Sequence, residues 1–411
     1  MEQLKVNKFL VIKDATFDVG KINLIIGPQA NGKSILAKLL YFFREVINNT
    51  FIVSIKNNDD KRQLTKSIGD LFEKYFPKYT WKDTQFSLNY ITKEFDITIS
   101  KNKTTRTIHI ELCELLLQLH RSLKSEYRKF KKNVVDKEQY MDDFWEFQNE
   151  HISNNHTILN NTNQSLFIPA SRSFFANLQK NIFSLLSKSI DIDPFMKEFG
   201  SQYEMSKSLY SNTRILGEKL KKDPLYIKIQ NIVEIILNGT YQFKDDQDWI
   251  KSKNGLINLA NASSGQQESL PMLLILSIFP FLHSKNSTFF IEEPEAHLFP
   301  VSQKHIISLI ALIYNKGQGS IVTTHSPYIL TAINNLLLAY DIKTKQGDDS
   351  IKDIVDIDTC INFDDIQAYT IKDGILLSIM DKENRLIGMN IIDSVSDDFN
   401  NIFDSLLSIE D

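Results

Sequence analysis

The apolar positions of this chain change period several times, and each change marks an element. Ala15-Thr16-Phe17-Asp18-Val19 alternates with period two, and Ile22-Asn23-Leu24-Ile25-Ile26 is a nearly continuous apolar run of buried-strand length. Ile35, Leu36, Leu39, Leu40, Phe42 and Phe43 then recur at helical spacing, so residues 1–48 predict short strands, a turn and a helix. Residues 49–160 read as an insertion, with a helix over Leu64–Tyr75 and a hairpin of Gln85–Ile91 with Phe95–Ser100 across Thr92-Lys93-Glu94. A further strand is expected near Thr105–Glu111, followed by a long helical stretch. Polar Asn154–Gln164 predicts a loop, Ser165–Ala170 a strand returning to the core, and residues 161–254 a mainly helical subdomain. Strand and helix alternate again over 255–340. Residues 341–411 predict an acidic hairpin, Ala368–Ile371 with Ile375–Ile379, and a terminal helix carrying Phe399, Ile402, Phe403, Leu406 and Leu407.

Composition narrows the class without naming it. The 411 residues are 42% hydrophobic and 24% charged, ordinary for a globular protein with sizeable cores. A net charge of −4 gives no global attraction to nucleic acid, so DNA binding would need a local patch. The one candidate patch is Arg121, Lys124, Arg128, Lys129, Lys131 and Lys132, followed by the acids Asp136, Glu138, Asp142, Asp143, Glu146 and Glu150. Such a split reads first as solvated or mutually paired helix faces and second as a docking face. Cys113 and Cys360 form no disulfide or zinc pattern, and no apolar run reaches membrane-spanning length. A cytoplasmic protein with no membrane contact is expected.

The chemistry begins at Gly27-Pro28-Gln29-Ala30-Asn31-Gly32-Lys33-Ser34, which fits G-x-x-x-x-G-K-[ST] between a buried strand and a helix. Glycines let backbone N–H groups wrap a phosphate, and the helix N-terminus adds a positive dipole. Lys33 would reach the β- and γ-phosphates of a nucleotide and the Ser34 hydroxyl would bind Mg²⁺. Downstream, Phe289-Phe290-Ile291-Glu292-Glu293 ends an apolar run in paired carboxylates, at the strand end where nucleotides sit in open α/β sheets. Glu292 would hold Mg²⁺ through water and Glu293 would act as general base. Glu292, Glu293, Glu295, His297 and His325 could also be a metal cluster, but their spacing fits the Mg²⁺–nucleotide reading better. Asn261-Ala262-Ser263-Ser264-Gly265-Gln266-Gln267 opens an apolar helix, either as an ordinary cap pairing Ser264 with Gln267 or as a second anion site. Ile321-Val322-Thr323-Thr324-His325 ends a β-branched strand in a histidine placed to contact a γ-phosphate or its attacking water.

Together these segments resemble the ABC-type ATPase heads of SMC, RecF and OLD (overcoming lysogenisation defect) proteins. Ser263-Ser264-Gly265-Gln266-Gln267 is similar to their L-S-G-G-Q signature, with Gln266 in place of the second Gly. Glu293-Pro294-Glu295-Ala296-His297-Leu298-Phe299-Pro300 resembles the E-P-E-x-H-L-x-P of OLD-like ATPases, and Ile168-Pro169-Ala170-Ser171-Arg172 their I-P-A-E-R. The resemblance implies an α/β P-loop fold of ABC-head type, with a mixed central sheet and a largely helical insertion. It also implies ATP and Mg²⁺ as cofactors, ATP hydrolysis, catalytic roles for Glu293 and His325, and Ser264, Gly265 and Gln267 acting on nucleotide held by an opposite subunit. A homodimer or higher oligomer follows. Too few residues follow His325 for the nuclease domain of OLD proteins, so the resemblance implies an ATPase controlling a separate effector, as in the antiphage systems PARIS and Septu. A RecF-like DNA clamp and a nucleotide-gated scaffold are the alternatives.

Overall fold

The computed structural model describes residues 2–104, 107–133, 143–153, 164–178, 192–211, 220–282, 287–388, 401–403 and 405–406. Asp136, Glu138, Asp142, most of the Asn154–Gln164 loop, Phe399 and Leu407 lie outside them.

In chain order the strands are β1 (Gln3–Phe9), β2 (Ile12–Asp18), β3 (Ile22–Ile26), β4 (Phe86–Ile91), β5 (Asp96–Lys101), β6 (His109–Leu112) and β7 (Ser165–Ile168). They continue as β8 (Thr240–Lys244), β9 (Gln247–Ser252), β10 (Gly255–Asn258), β11 (Thr288–Glu292), β12 (Gly319–Thr324), β13 (Ile366–Lys372) and β14 (Ile375–Ser378). The longer helices are α1 (Lys33–Glu45), α2 (Lys61–Tyr75), α3 (Glu114–Asn133), α4 (Pro194–Ser211), α5 (Pro224–Leu237), α6 (Ser264–Leu282), α7 (Pro300–Asn315) and α8 (Pro327–Gln346).

One 11-stranded sheet, ordered β6-β5-β4-β1-β2-β14-β13-β3-β12-β11-β7, organises the molecule. From β13 to β7 every pairing is parallel, whereas β6, β5, β4, β1 and β2 form an antiparallel wing. This is a mixed α/β architecture, with helices covering both faces of the parallel strands. The parallel strands are buried on both faces, and their period-two alternation sorts residues between two cores. Ile25, Phe167, Phe290, Ile321 and Tyr369 face the core under α1 and the insertion. Leu24, Leu166, Ile291, Val322 and Ala368 face the core under α6, α7 and α8.

The predicted helix at Leu64–Tyr75 is α2, lengthened at its start by a capping box between Asp60 and Gln63. The predicted hairpins are β4–β5 and β13–β14. Strands β4–β6 of the insertion join the main sheet beside β1, and the second hairpin inserts between β2 and β3. Sequence distance hid both placements, because strand order depends on contacts far apart in the chain. A part-buried fork of Arg44 on Glu2 (2.8 and 2.7 Å), with the Tyr90 hydroxyl donating to the same carboxylate (2.8 Å), joins α1 and β4 to the start of β1.

Candidate nucleotide site

Because β3, β7, β11 and β12 run parallel, their C-terminal ends open on one edge of the sheet. The loop Gly27–Ser34, Ala170–Arg172, Glu292–Glu293 and His325 leave from those ends. This edge is where an open α/β sheet binds its ligand.

The loop after β3 adopts backbone that side chains disfavour, with φ of 153° at Gly27, 61° at Ala30 and 97° at Gly32. Gly32 is also crowded, since a Cβ there would lie 3.0 Å from both Ile12 and Val11. Gly32 caps α1 without a side-chain hydrogen bond, and no acid stands in the first turn. The N–H groups of Lys33, Ser34 and Ile35 have no helical acceptor, while Leu36 N–H already donates to Gly32 O at 3.1 Å.

Lys33 Nζ donates to the Gly27 and Pro28 carbonyls at 2.7 Å each and lies 3.3 Å from both ring nitrogens of His325. Burial pulls its ammonium down to about 8, against the opposing pull of Glu293 and Glu295. His325 Nε2 in turn stands 3.1 Å from Glu293 Oε1. Lys33, His325 and Glu293 therefore converge from three separate strand ends.

Glu293 has a left-handed backbone, φ 43°, uncommon for a residue with a side chain. Its N–H donates to Thr323 O at 2.9 Å and its carbonyl accepts from Arg172 Nη2 at 3.0 Å. Glu292 points its carboxylate inward: Oε2 accepts only the Ala170 N–H at 3.3 Å, and Oε1 is buried without a partner. The hydroxyl of Thr323, its register neighbour on β12, is likewise buried and unpartnered. Among the described residues no cluster of three or more His, Cys, Asp or Glu side chains could hold a metal alone, and His297 is exposed.

Three supporting residues had no role assignable from sequence. Glu295 Oε1 accepts the His325 N–H at 2.8 Å and the Thr324 hydroxyl at 2.6 Å, which fixes the histidine's backbone. Gln303 accepts from the Ser326 hydroxyl at 2.5 Å and donates to Leu298 O at 2.9 Å, joining the histidine turn to the acidic segment. Glu268 accepts the N–H groups of Arg172 and Ser173 at 2.8 Å each. Glu295 lies within the E-P-E-x-H-L-x-P segment, whereas for Gln303 and Glu268 the only sequence signal was proximity to a motif.

The segment before α6 is capped one residue earlier than the sequence pattern implied. Ser263, not Ser264, is the cap: its hydroxyl accepts from Gln266 N–H at 3.3 Å, and Gln266 Oε1 accepts the Ser263 N–H at 3.1 Å. Gln266 also donates to Leu237 O at 2.7 Å, so this residue, standing where the resemblance has glycine, ties α6 to the end of α5. Gln267 turns back onto the Ala260 and Ala262 carbonyls at 3.1 and 3.2 Å. Ser264 is exposed, and Gly265 lies so close to the next segment that a Cβ would stand 2.8 Å from His297 O.

In the basic stretch, Arg121 pairs with Glu114, Lys124 donates to Asp59 O, and Arg128 donates to Asn58 Oδ1 at 2.9 Å. Lys129, Lys131 and Lys132 are exposed. Among the described residues no helix is long and apolar enough to cross a membrane.

A family model described as AAA ATPase domain matches residues 1–330. No curated protein matches the sequence. Among solved structures, the SMC head domain from Thermotoga maritima is 11% identical, covers 92% of this chain and 97% of its own, and has a TM-score of 0.36. An Smc head domain with an extended coiled coil, bound to the C-terminal domain of ScpA and derived from Pyrococcus furiosus, is 10% identical. It covers 97% of this chain and 100% of its own, at a TM-score of 0.38. Likenesses this distant say nothing of function.

Proposed function

The chain belongs to the AAA ATPase domain family, and from that premise we propose that it hydrolyses ATP to ADP and phosphate at Gly27–Ser34. The observation that carries this reading is the convergence of Lys33 and Glu293 on His325, each within hydrogen-bond reach of its ring. The uncapped start of α1 offers N–H groups to the phosphates, and Lys33 exchanges its own loop carbonyls for phosphate oxygens. Glu293 takes a proton from a water whose oxygen attacks the γ-phosphorus, the bond to the bridging oxygen breaks, and its electron pair leaves with ADP. His325, held by Glu295, orients that water or the γ-phosphate.

The donor set suits Mg²⁺, since a buried carboxylate oxygen of Glu292 without a partner is a hard anionic ligand awaiting a cation. Ser34 and Glu292 would hold it, and bound there Mg²⁺ neutralises charge on the β- and γ-oxygens.

Ser264 is exposed at the start of α6, and Gly265 directly and Glu268 through Arg172 tie that helix start to the acidic segment of their own chain. This supports a composite site in which Ser264, Gly265 and Gln267 of one copy close over nucleotide held by another. ATP-driven dimerisation is then the output, and control of a separately encoded effector, such as an antiphage nuclease, is the role suggested by the E-P-E-x-H-L-x-P segment. Direct duplex binding has less support, because half of the basic stretch is engaged within the molecule.

The test is ATP turnover together with mass by light scattering. Glu293→Gln with ATP should form a stable dimer that Lys33→Ala does not. A Glu293→Gln protein that binds ATP and stays monomeric would refute the composite site.

A further inference from the structure

Arg172 is fully buried and joins the end of β7, the start of α6 and the acidic end of β11, and no role could be assigned to it from the sequence. Its guanidinium donates to four carbonyls: Glu268 O at 3.0 Å, Pro169 O at 2.8 Å, Glu292 O at 2.7 Å and Glu293 O at 3.0 Å. The Glu268 carboxylate lies 3.4 Å from Nη2 and accepts the Arg172 and Ser173 N–H groups. Both side chains are essentially without solvent, so the pair is fully desolvated. Glu268 belongs to the first turns of α6, four residues after Ser264, whereas Glu292 and Glu293 end β11.

Resting on the composite-site reading, we infer that Arg172 and Glu268 couple the two nucleotide sites of the ATP-bound dimer. In such a dimer each chain gives its Lys33 and Glu293 to one site and its Ser264 to the other. The only charged pair joining those two regions among the described residues is Arg172 with Glu268. Glu293 is held at φ 43°, a conformation that persists only where its surroundings over-determine it. Arg172 supplies that constraint by holding the carbonyls on both sides of the Glu292–Glu293 step. When the start of α6 closes on nucleotide in one site, Glu268 moves with it. Arg172 then shifts the backbone that aims the Glu293 carboxylate in the other site. The contact of Gly265 with His297 O is a second, parallel link between the same two segments.

Arg172 is thus a positioning residue, and its signature is loss of cooperation without loss of binding. Arg172→Lys keeps the charge but loses the planar fork that spans several carbonyls. Glu268→Gln is the milder change, keeping an acceptor while removing the charge. The measurements on the full chain are affinity for a fluorescent ATP analogue, dimerisation in the Glu293→Gln background, thermal unfolding, and hydrolysis against ATP concentration. Wild type should hydrolyse with a Hill coefficient approaching two. Both variants should bind the analogue within about threefold of wild type and still dimerise, but with kcat reduced about tenfold or more and a Hill coefficient of one. Unchanged kcat and cooperativity in folded Glu268→Gln would overturn the coupling. So would equal losses of binding, kcat and folded fraction, which mark a structural role alone. A wild type that binds ATP but neither dimerises nor cooperates refutes the composite site itself, and the coupling with it.

Discussion

Two helix starts meet phosphate in the proposed site, and they are built on opposite principles. The start of α1 is left open, since Gly32 brings no side chain, no acid stands in the first turn, and Lys33, Ser34 and Ile35 keep unclaimed N–H groups. The start of α6 is closed on itself, because Ser263 and Gln266 satisfy each other and Gln266 reaches on to Leu237. An open start binds an anion with its backbone and must be made of glycine and strained turns. A closed start keeps its shape without ligand and offers an anion chiefly the exposed Ser264 side chain. On the proposed reading, the first is a receptor and the second a lid carried on the body of the chain.

The largest expected effect breaks the open start chemically. Lys33→Ala should lower kcat/KM by about 10²–10³ and weaken analogue binding below detection, read by turnover and analogue titration. Glu293→Gln should lower kcat by a comparable about 10²–10⁴ while binding persists, separating base from receptor.

Gly32→Ala attacks the same start through its backbone. The new Cβ meets Ile12 and Val11 at 3.0 Å in a left-handed residue, so both affinity and stability should fall, the latter by about 1–3 kcal/mol in denaturant titration.

A pH experiment sharpens the comparison without mutation. With Lys33 at about 8 before ATP arrives, phosphate must favour the ammonium and raise that value on binding. ATP binding at pH 8 should then take up roughly half a proton, seen as a buffer-dependent binding enthalpy that Lys33→Ala lacks. A proton release instead would mean Lys33 does not face the phosphates.

The smallest effect belongs to the closed start. Ser263→Ala should cost about 1 kcal/mol of stability through the lost cap, with ATP affinity unchanged in the monomer. If affinity falls as far as in Gly32→Ala, the two starts are not different in kind.

The contrast also explains what could be read in advance. The loop at Gly27–Ser34 was legible because strand, glycines and helix are contiguous, and local backbone geometry depends on neighbours in sequence. The acidic pair and His325 were legible as strand ends for the same reason. The cap of α6 was shifted by one residue because Ser263 and Ser264 are chemically alike, and only Gln266 meeting Leu237 distinguishes them. Arg172 was visible only as part of a motif and its partnership with Glu268 not at all, because the two lie 96 residues apart and act through main-chain groups, which carry no sequence signature.

By itself, then, the sequence determined the elements whose causes are local: period-two runs buried on both faces, the glycine turn before α1, and carboxylates at the end of an apolar strand. The tertiary structure alone decided which strand ends share an edge. It brought Lys33 to 3.3 Å and Glu293 to 3.1 Å from the His325 ring, from segments spread over nearly three hundred residues. It also set the C-terminal hairpin between β2 and β3 and buried Arg172 where it binds four carbonyls at once. The physical reason is that strand order and desolvated hydrogen bonds are fixed by packing between distant segments.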